Sequence, residues 1–164
     1  MKRALAAFIS TVTLAAATAT AQDVQQGIAL YQQGKYADAA NTLRSASGAE
    51  AKAYLAASLA KQKQFAEAET AAKAALSDAA THEVALSALG ESLVAQKKYD
   101  EAVERMTTAI GVKADIAYAY YWRATAYQYK KQVARMVDDF KTFLRLAPNA
   151  PEAGSVKVLL ASQA

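Results

Sequence analysis

Similar short segments recur along this chain at a spacing of about 34 residues. Phe65 and Tyr99, which stand one such spacing apart, each follow glutamine and lysine and precede acidic residues and alanine. Small residues keep the same spacing at Ala56, Gly90 and Ala124. A structural unit of this size cannot bury its apolar face alone, so neighbouring units must stack to form a continuous core. The spacing therefore predicts an array of stacked repeats.

Each repeat contains two stretches with a helical pattern. In the third unit, Leu86, Leu89 and Leu93 follow one another at three- and four-residue steps, and Met106 and Ile110 show the same pattern in a second stretch. The chain has only 6 glycines and 2 prolines, and its commonest residue is alanine, the strongest helix former. These features predict an all-α protein. The short turn between the two stretches makes each pair of helices antiparallel.

Four units and a closing helix account for most of the chain. The step from Tyr36 to Phe65 is shorter than the spacing of the later units, so the first connection is expected to be shorter, near Ser47 and Gly48. Pro151 and Glu152 begin a last helical segment, whose apolar residues can cover the exposed end of the array. The predicted repeats span about residues 22–48, 49–80, 81–114 and 115–148, and the predicted capping helix spans 149–164.

The fourth unit resembles the tetratricopeptide repeat most clearly. Trp122, Ala124, Tyr127 and Phe140 carry the resemblance, together with the segment 144–149 that ends in proline and asparagine. The resemblance implies a right-handed helical-repeat solenoid of about four helix-turn-helix pairs. It also implies a concave groove, lined by the first helix of each pair, that binds a protein or a peptide.

The fourth unit departs from the earlier ones at positions expected to be buried. Arg123 stands where the second and third units carry leucine, and Met136 and Phe143 stand where they carry alanine. These changes suit a terminal unit that packs against something other than another repeat. We expect that element to be the capping helix.

Aromatic residues at the start of the fourth unit form the predicted binding site. Tyr118 and Tyr121 share one stripe of its first helix, and aromatic residues often dominate binding interfaces. The alternative is that these tyrosines pack against the capping helix. The predicted partner-binding residues are Tyr118, Tyr121, Trp122, Thr125, Tyr129, Glu91, Ser87 and Val84. The repeat spacing extends this groove through Val24, Ile28, Tyr31, Glu50, Ala53, Ala57 and Lys61, which makes its N-terminal end small and apolar.

Recurring lysines form a second candidate surface, which we call the basic edge. They lie near the end of the first helix of each unit, where cations stabilise the negative end of the helix dipole. The alternative role is to attract an acidic partner or an anionic surface. The basic edge consists of Lys63, Lys97, Lys98, Lys130 and Lys131. Some tetratricopeptide repeat proteins clamp a carboxylate-terminated peptide with lysine and asparagine, but this groove offers Lys61 and no asparagine.

Few residues could support catalysis or bind a metal. The chain has no cysteine and one histidine, which excludes disulfides, thiol nucleophiles and multi-histidine metal sites. We expect His82 to be exposed at a helix start, Glu67 and Glu69 to stabilise a helix N-terminus, and Asp138 and Asp139 to be solvated. The sequence therefore predicts no cofactor, no metal site and no enzymatic activity.

The first 21 residues have the pattern of a secretory signal peptide. Met1-Lys2-Arg3 precedes an apolar run over residues 4–17, and Ala19-Thr20-Ala21 matches a small-x-small cleavage site. The apolar run is shorter than the roughly 20 residues that span a membrane, so cleavage near Ala21 is favoured over retention as an anchor. The mature chain is then predicted to be periplasmic or secreted, without a stable membrane anchor.

Charge and architecture together predict a protein-binding role. Removing Lys2 and Arg3 from the 19 basic residues leaves 17 against 15 acidic ones, a net charge of +2 that does not call for a nucleic-acid partner. We predict a non-catalytic adaptor that binds a protein or peptide in its groove and assists the assembly of envelope complexes. A small-molecule or lipid binder that uses the aromatic end of the groove is the alternative, and an enzyme is the least expected class.

Overall fold

The computed structural model describes residues 21–163, and every regular element in that range is an α-helix. Residues 21–32 are helical and are called α1. The other helices are α2 (Tyr36–Leu43), α3 (Ala49–Lys61), α4 (Phe65–Asp78), α5 (Glu83–Ala95), α6 (Tyr99–Val112), α7 (Ala117–Tyr129), α8 (Val133–Leu146) and α9 (Ala153–Ala161). Within residues 21–163, no helix has the length and apolar character needed to cross a membrane. The predicted signal peptide lies outside the described residues, apart from Ala21.

The helices pair in chain order into a stacked array. We call α1, α3, α5 and α7 the first helices, and α2, α4, α6 and α8 the second helices. Each first helix packs against its second helix, α3 packs against α5, and α5 packs against α7. α2 has 8 residues whereas α4, α6 and α8 have 14 each, so a short second helix makes the first unit the shortest. The expectation of a shorter connection is wrong, because residues 44–48 join α2 to α3 and the later connections are 79–82 and 113–116. The prediction of an all-α repeat solenoid of about four helix pairs is confirmed.

One residue with a left-handed backbone ends the first helix of every unit. Gly34, Lys63, Lys97 and Lys131 have φ angles of 75°, 62°, 60° and 57°. The N–H of the next residue then bonds to a carbonyl five residues back, as from Lys98 N–H to the Leu93 oxygen at 2.8 Å. This is the Schellman pattern, which satisfies the last free carbonyls of a helix. The recurring lysines therefore occupy one fixed turn position.

Small residues allow the first helices to approach one another closely. Ala56, Gly90 and Ala124 are all buried. Trp122 of α7 lies directly over Gly90 of α5, and a β-carbon at Gly90 would overlap the indole ring. The Trp122 indole N–H also donates a hydrogen bond to Ser87 Oγ at 3.1 Å. The contact between α5 and α7 therefore requires glycine at this position.

Polar side chains hold each unit against the preceding one. Gln96 follows α5 and donates a hydrogen bond to the carbonyl oxygen of Phe65, the first residue of α4, at 3.4 Å. Gln62 makes the equivalent bond one unit earlier, at 3.1 Å. Lys130 occupies the equivalent position in the fourth unit and pairs with Asp100. The residue after each first helix thus contacts the start of the preceding second helix, through the backbone for Gln62 and Gln96 and through a carboxylate for Lys130.

Glu69 of α4 is the centre of a buried ion-pair network. It is 8% exposed, and its carboxylate accepts hydrogen bonds from Lys73 at 2.7 Å, Lys98 at 2.8 Å and Gln96 at 2.8 Å. Burial by itself raises the pKa of this carboxyl, but the three hydrogen bonds outweigh it and lower the pKa to about 2. Lys73 also bonds Glu101 of α6 at 2.8 Å. The expectation that Glu69 stabilises a helix N-terminus is wrong, because it lies beyond the first turn and binds side chains of other elements.

A second buried ion pair explains why the fourth unit carries Arg123 where the second and third units carry leucine. Arg123 of α7 makes a bidentate contact with Asp139 of α8, with Nε–Oδ2 at 2.7 Å and Nη2–Oδ1 at 2.8 Å. Arg123 also donates to Thr107 Oγ1 at 3.1 Å. Asp139 is only 6% exposed, so the expectation of a solvated carboxylate pair is wrong for this residue, whereas Asp138 is exposed. The arginine that replaces leucine thus has its own counter-charge.

α9 covers the open face of the fourth unit, as predicted. Val156 is buried among Phe140 and Phe143 of α8, and Leu159 and Leu160 are partly buried against the same cluster. Large side chains on α8, in place of the alanines of the earlier second helices, fill the space between α7, α8 and α9. The last repeat is therefore shaped to receive a capping helix.

Candidate functional site

The first helices together line a cavity on one face of the array, which we call the concave cavity. Its volume is about 490 Å³, within the range of ligand-binding clefts. The segment that precedes α9 borders the same space. The lining residues are Tyr31, Tyr54, Ala57, Lys61, Glu83, Val84, Ser87, Ala88, Glu91, Tyr118, Pro151 and Glu152.

An ion pair joins two helices within the cavity lining. Lys61 Nζ of α3 lies 3.1 Å from Glu91 Oε2 of α5. Burial lowers the pKa of Lys61, but the interaction with Glu91 outweighs it and the net shift is upward. Lys61 therefore stays charged at neutral pH. The ion pair neutralises Lys61, the only basic residue that residues 21–163 contribute to the lining.

A tyrosine–glutamate contact forms the C-terminal end of the cavity. The Tyr118 hydroxyl of α7 donates a hydrogen bond to Glu152 Oε2 at 2.9 Å. Burial, this hydrogen bond and the nearby carboxylate raise the pKa of Tyr118 to about 12, so the phenol stays protonated. Within residues 21–163, Glu152 Oε1 accepts no hydrogen bond. One oxygen of Glu152 is therefore available to a ligand.

Aromatic residues also border the N-terminal end of the cavity. The ring centres of Tyr31 and Tyr54 are 5.5 Å apart in an edge-to-face arrangement, and Tyr36 lies 5.4 Å from Tyr31. Burial raises the pKa of Tyr31, so its phenol also stays neutral at ordinary pH. The expectation of a small, apolar N-terminal end is therefore wrong.

Part of the predicted groove lies where the repeat spacing places it. Four of the eight predicted partner-binding residues line the concave cavity: Val84, Ser87, Glu91 and Tyr118. Tyr31, Ala57 and Lys61, placed there by extending the spacing, line it as well. Val24, Ile28 and Ala53 do not, because they are buried in the contacts between helices.

Tyr121 and Trp122 do not line the cavity because they pack inward. The Tyr121 ring centre lies 5.9 Å from that of Phe140 and 5.1 Å from that of Phe143, within the cluster beneath α9. Trp122 covers Gly90, as described above. Burial raises the pKa of Tyr121, in agreement with this inward position. The alternative interpretation, packing near the capping helix, fits Tyr121 better than groove exposure does.

Thr125 and Tyr129 also lie outside the cavity lining. The Thr125 hydroxyl donates to the Tyr121 carbonyl oxygen at 2.8 Å, a bond within α7. Tyr129 is 58% exposed and stacks on Tyr99, with ring centres 4.9 Å apart and planes inclined by 7°. Tyr129 therefore belongs to the edge that carries the turns.

The basic edge divides into two groups of lysines. Lys98 and Lys130 are held in ion pairs with Glu69 and Asp100. Lys63, Lys97 and Lys131 are the exposed left-handed turn residues, and none of them forms an ion pair within the described range. The edge thus presents three unpaired cations, one per turn.

Sequence reasoning missed several cavity residues. Tyr54 and Ala88 lie next to predicted positions along their helices, so a wider stripe would have included them. Glu83 is the first residue of α5 and lies on the rim. Pro151 and Glu152 precede α9, outside the repeats, and no repeat spacing could have placed them there.

His82 and the acidic residues do not form a metal-binding cluster in the part of the chain that the structure describes. His82 is partly buried rather than exposed as expected, and its Nδ1 atom is buried without a hydrogen-bond partner in that range. Among residues 21–163, no group of three or more histidine, aspartate or glutamate residues is arranged to hold a metal ion.

Comparison with solved structures identifies the fold. The chain is similar to a thermophilic TPR protein of Thermus thermophilus, TTC0263, with a TM-score of 0.77 and 20% identity over 88% of this chain and 82% of that one. It is similar to PilF of Pseudomonas aeruginosa, with a TM-score of 0.73 and 25% identity over 88% of this chain and 67% of the other. The TPR domain of Arabidopsis OM64 matches with a TM-score of 0.60 and 18% identity, over 71% of this chain and 96% of that domain.

The similarity is evident in structure and weak in sequence. No protein-family model matches the chain, and no curated protein sequence matches it. The predicted resemblance to tetratricopeptide repeats is confirmed by the solved structures.

Proposed function

We propose that this chain, which has the tetratricopeptide-repeat fold, is a non-catalytic interaction module that binds a protein or peptide segment in the concave cavity. The cavity carries the proposal, because four repeat units and the segment before α9 build it jointly. Tyr31, Tyr54 and Tyr118 offer large, rigid contact surfaces, and such residues supply much of the energy in protein interfaces. Ala57 and Ala88 leave room for a peptide backbone between them.

The proposal places this activity in the bacterial periplasm, in the assembly of envelope complexes. The support is the signal-peptide pattern of residues 1–21. Mass spectrometry of the protein purified from its native host should find Gln22 at the N-terminus. Recovery of intact Met1 in a membrane fraction would contradict this location and leave the interaction role untouched.

Protein binding is favoured over the alternative of a small-molecule or lipid ligand. The cavity lining includes Lys61, Glu83, Glu91 and Glu152. An apolar ligand would remove these charged groups from water without compensating for the loss of hydration. A peptide can instead pair with them.

Site-specific photo-crosslinking in the native host tests the proposal. A photoreactive amino acid replaces Val84 in the cavity, and a matched variant carries it at Glu104, an exposed position on α6. We expect a defined protein adduct from position 84, absent from position 104, that is lost when Tyr118→Ala is added. Equal adducts at both positions, or an adduct indifferent to Tyr118→Ala, would show that the partner binds elsewhere.

A further inference from the structure

The lining of the concave cavity is acidic although the chain as a whole is basic. The described part of the chain contributes three glutamates and one lysine to the lining, a local excess of two negative charges. The full sequence carries a net charge of +4. Clefts lined by one sign of charge concentrate ligands of the opposite sign.

The three carboxylates of the lining have different partners. Glu91 is neutralised by Lys61 at 3.1 Å. Glu83 lies on the rim, where it is 57% exposed and 3.5 Å from Lys113, an exposed and screened contact. Glu152 meets only the neutral hydroxyl of Tyr118 among residues 21–163. Among the described residues, Glu152 is therefore the carboxylate of the lining that has no lysine or arginine partner.

The aromatic residues of the lining also favour a positively charged ligand. Tyrosine rings have an electron-rich face that attracts ammonium and guanidinium groups. The Tyr118 hydroxyl donates a hydrogen bond to Glu152, so the tyrosine ring and that carboxylate border the same part of the cavity. Tyr31 and Tyr54 supply two further rings.

We propose that the concave cavity binds an extended peptide segment carrying a lysine or arginine side chain, whose cation lies between Glu152 and the tyrosine rings. This inference rests on the function proposed above and names the chemistry of the partner. An acidic segment would meet repulsion from Glu83 and Glu152, and Lys61 cannot attract it because Lys61 is already paired with Glu91. The expected partner is thus the opposite of a carboxylate-terminated peptide.

Selection from a random heptapeptide phage library on the full chain tests the inference. Selected peptides should be enriched in lysine or arginine, and a dye-labelled synthetic copy should lose affinity when its basic residue is replaced by glutamine. Glu152→Gln should weaken binding of this peptide about tenfold, because glutamine keeps the acceptor for Tyr118 but removes the charge. Glu83→Gln should weaken binding two- to threefold, as expected of a rim charge, and Glu104→Gln on α6 should leave it unchanged.

The outcomes separate this inference from the proposed function. Selected peptides that lose affinity with Tyr118→Ala but are neutral or acidic would overturn the basic-segment inference and support the interaction role. Peptides indifferent to both Tyr118→Ala and Glu152→Gln would overturn both. Competition by free arginine or spermidine at the concentrations at which the peptide binds would identify a small cation as the ligand and reject a peptide segment. Far-UV circular dichroism and melting curves confirm that each variant is folded.

Discussion

Replacing Glu69 with glutamine should destabilise the fold in a pH-dependent way. The side chain is buried and its pKa is lowered from 4.5 to about 2. At 1.36 kcal/mol per pKa unit, this shift corresponds to about 3 kcal/mol of stability at neutral pH. Glu69→Gln keeps the shape of the side chain but removes the charge that Lys73 and Lys98 bind. We therefore expect a loss of about 2 kcal/mol at pH 7, below the cost of breaking a fully buried ion pair, because Lys73 and Lys98 are 39% and 42% exposed and stay hydrated.

The sign of the pH dependence follows from the direction of the shift. A carboxyl whose pKa is lower in the folded state stabilises the fold above its unfolded pKa, and that stability is lost as the pH falls through the folded pKa. For Glu69 the contribution is complete above about pH 4.5 and disappears towards pH 2. The difference between the wild type and Glu69→Gln should therefore shrink over this interval.

Urea unfolding followed by circular dichroism at 222 nm, from pH 7 down to the lowest pH at which both proteins fold, measures this difference. Glu67→Gln is the matched control, because Glu67 lies on the same helix and pairs with Arg44 at 3.1 Å but is 56% exposed. Its loss should be below about 1 kcal/mol. A Glu69→Gln penalty that is equally large at pH 7 and pH 3, or no larger than that of the control, would refute the assignment of a buried charged network.

Two further predictions concern stability, both measured by thermal and urea unfolding. Lys97→Gly should stabilise the protein by up to about 1 kcal/mol, because glycine adopts the left-handed turn conformation without strain. The greater freedom of glycine in the unfolded chain cancels only part of this gain. An unchanged or lower melting temperature would show that the lysine side chain itself stabilises the turn. Asp139→Asn should cost about 3 kcal/mol because it leaves Arg123 partly buried without its counter-charge. Arg123→Leu combined with Asp139→Ala reproduces Leu55 and Ala71 of the second unit and should cost much less, whereas an equal cost would mean that the ion pair adds stability of its own.

The sequence predicted helix positions better than it predicted charge partners. Gly90 stands one repeat length from Ala56 and from Ala124, and repeating backbone geometry is enough to place all three at helix contacts. Asp139 and Glu69 looked like ordinary surface carboxylates. Their partners lie 16 residues away at Arg123 and up to 29 residues away on neighbouring elements. The periodicity of a single helix contains no information about such distant contacts.

At the candidate site, the sequence could not distinguish between two residues that lie on the same stripe of one helix. Tyr118 and Tyr121 are three residues apart, so they differ by only about 60° around the helix and fit one stripe. Both rings contact Phe143 of α8, with ring centres 5.8 Å away for Tyr118 and 5.1 Å away for Tyr121, but the Tyr121 ring also contacts Phe140 at 5.9 Å. Tyr118 remains at the cavity and meets Glu152, which lies outside every repeat.

The contact between Tyr118 and Glu152 makes the shape of the cavity depend on how firmly α9 packs against α8. α9 has 9 residues, and a short helix at the edge of a packed array unfolds locally at a lower free energy than the core. Each such opening carries Pro151 and Glu152 away and removes one wall of the cavity. Fraying and ligand access are thereby linked, so an occupied cavity should slow deuterium uptake by the amides of residues 153–161 far more than by those of the central helices. The stability of α9 then sets how quickly a partner enters and leaves.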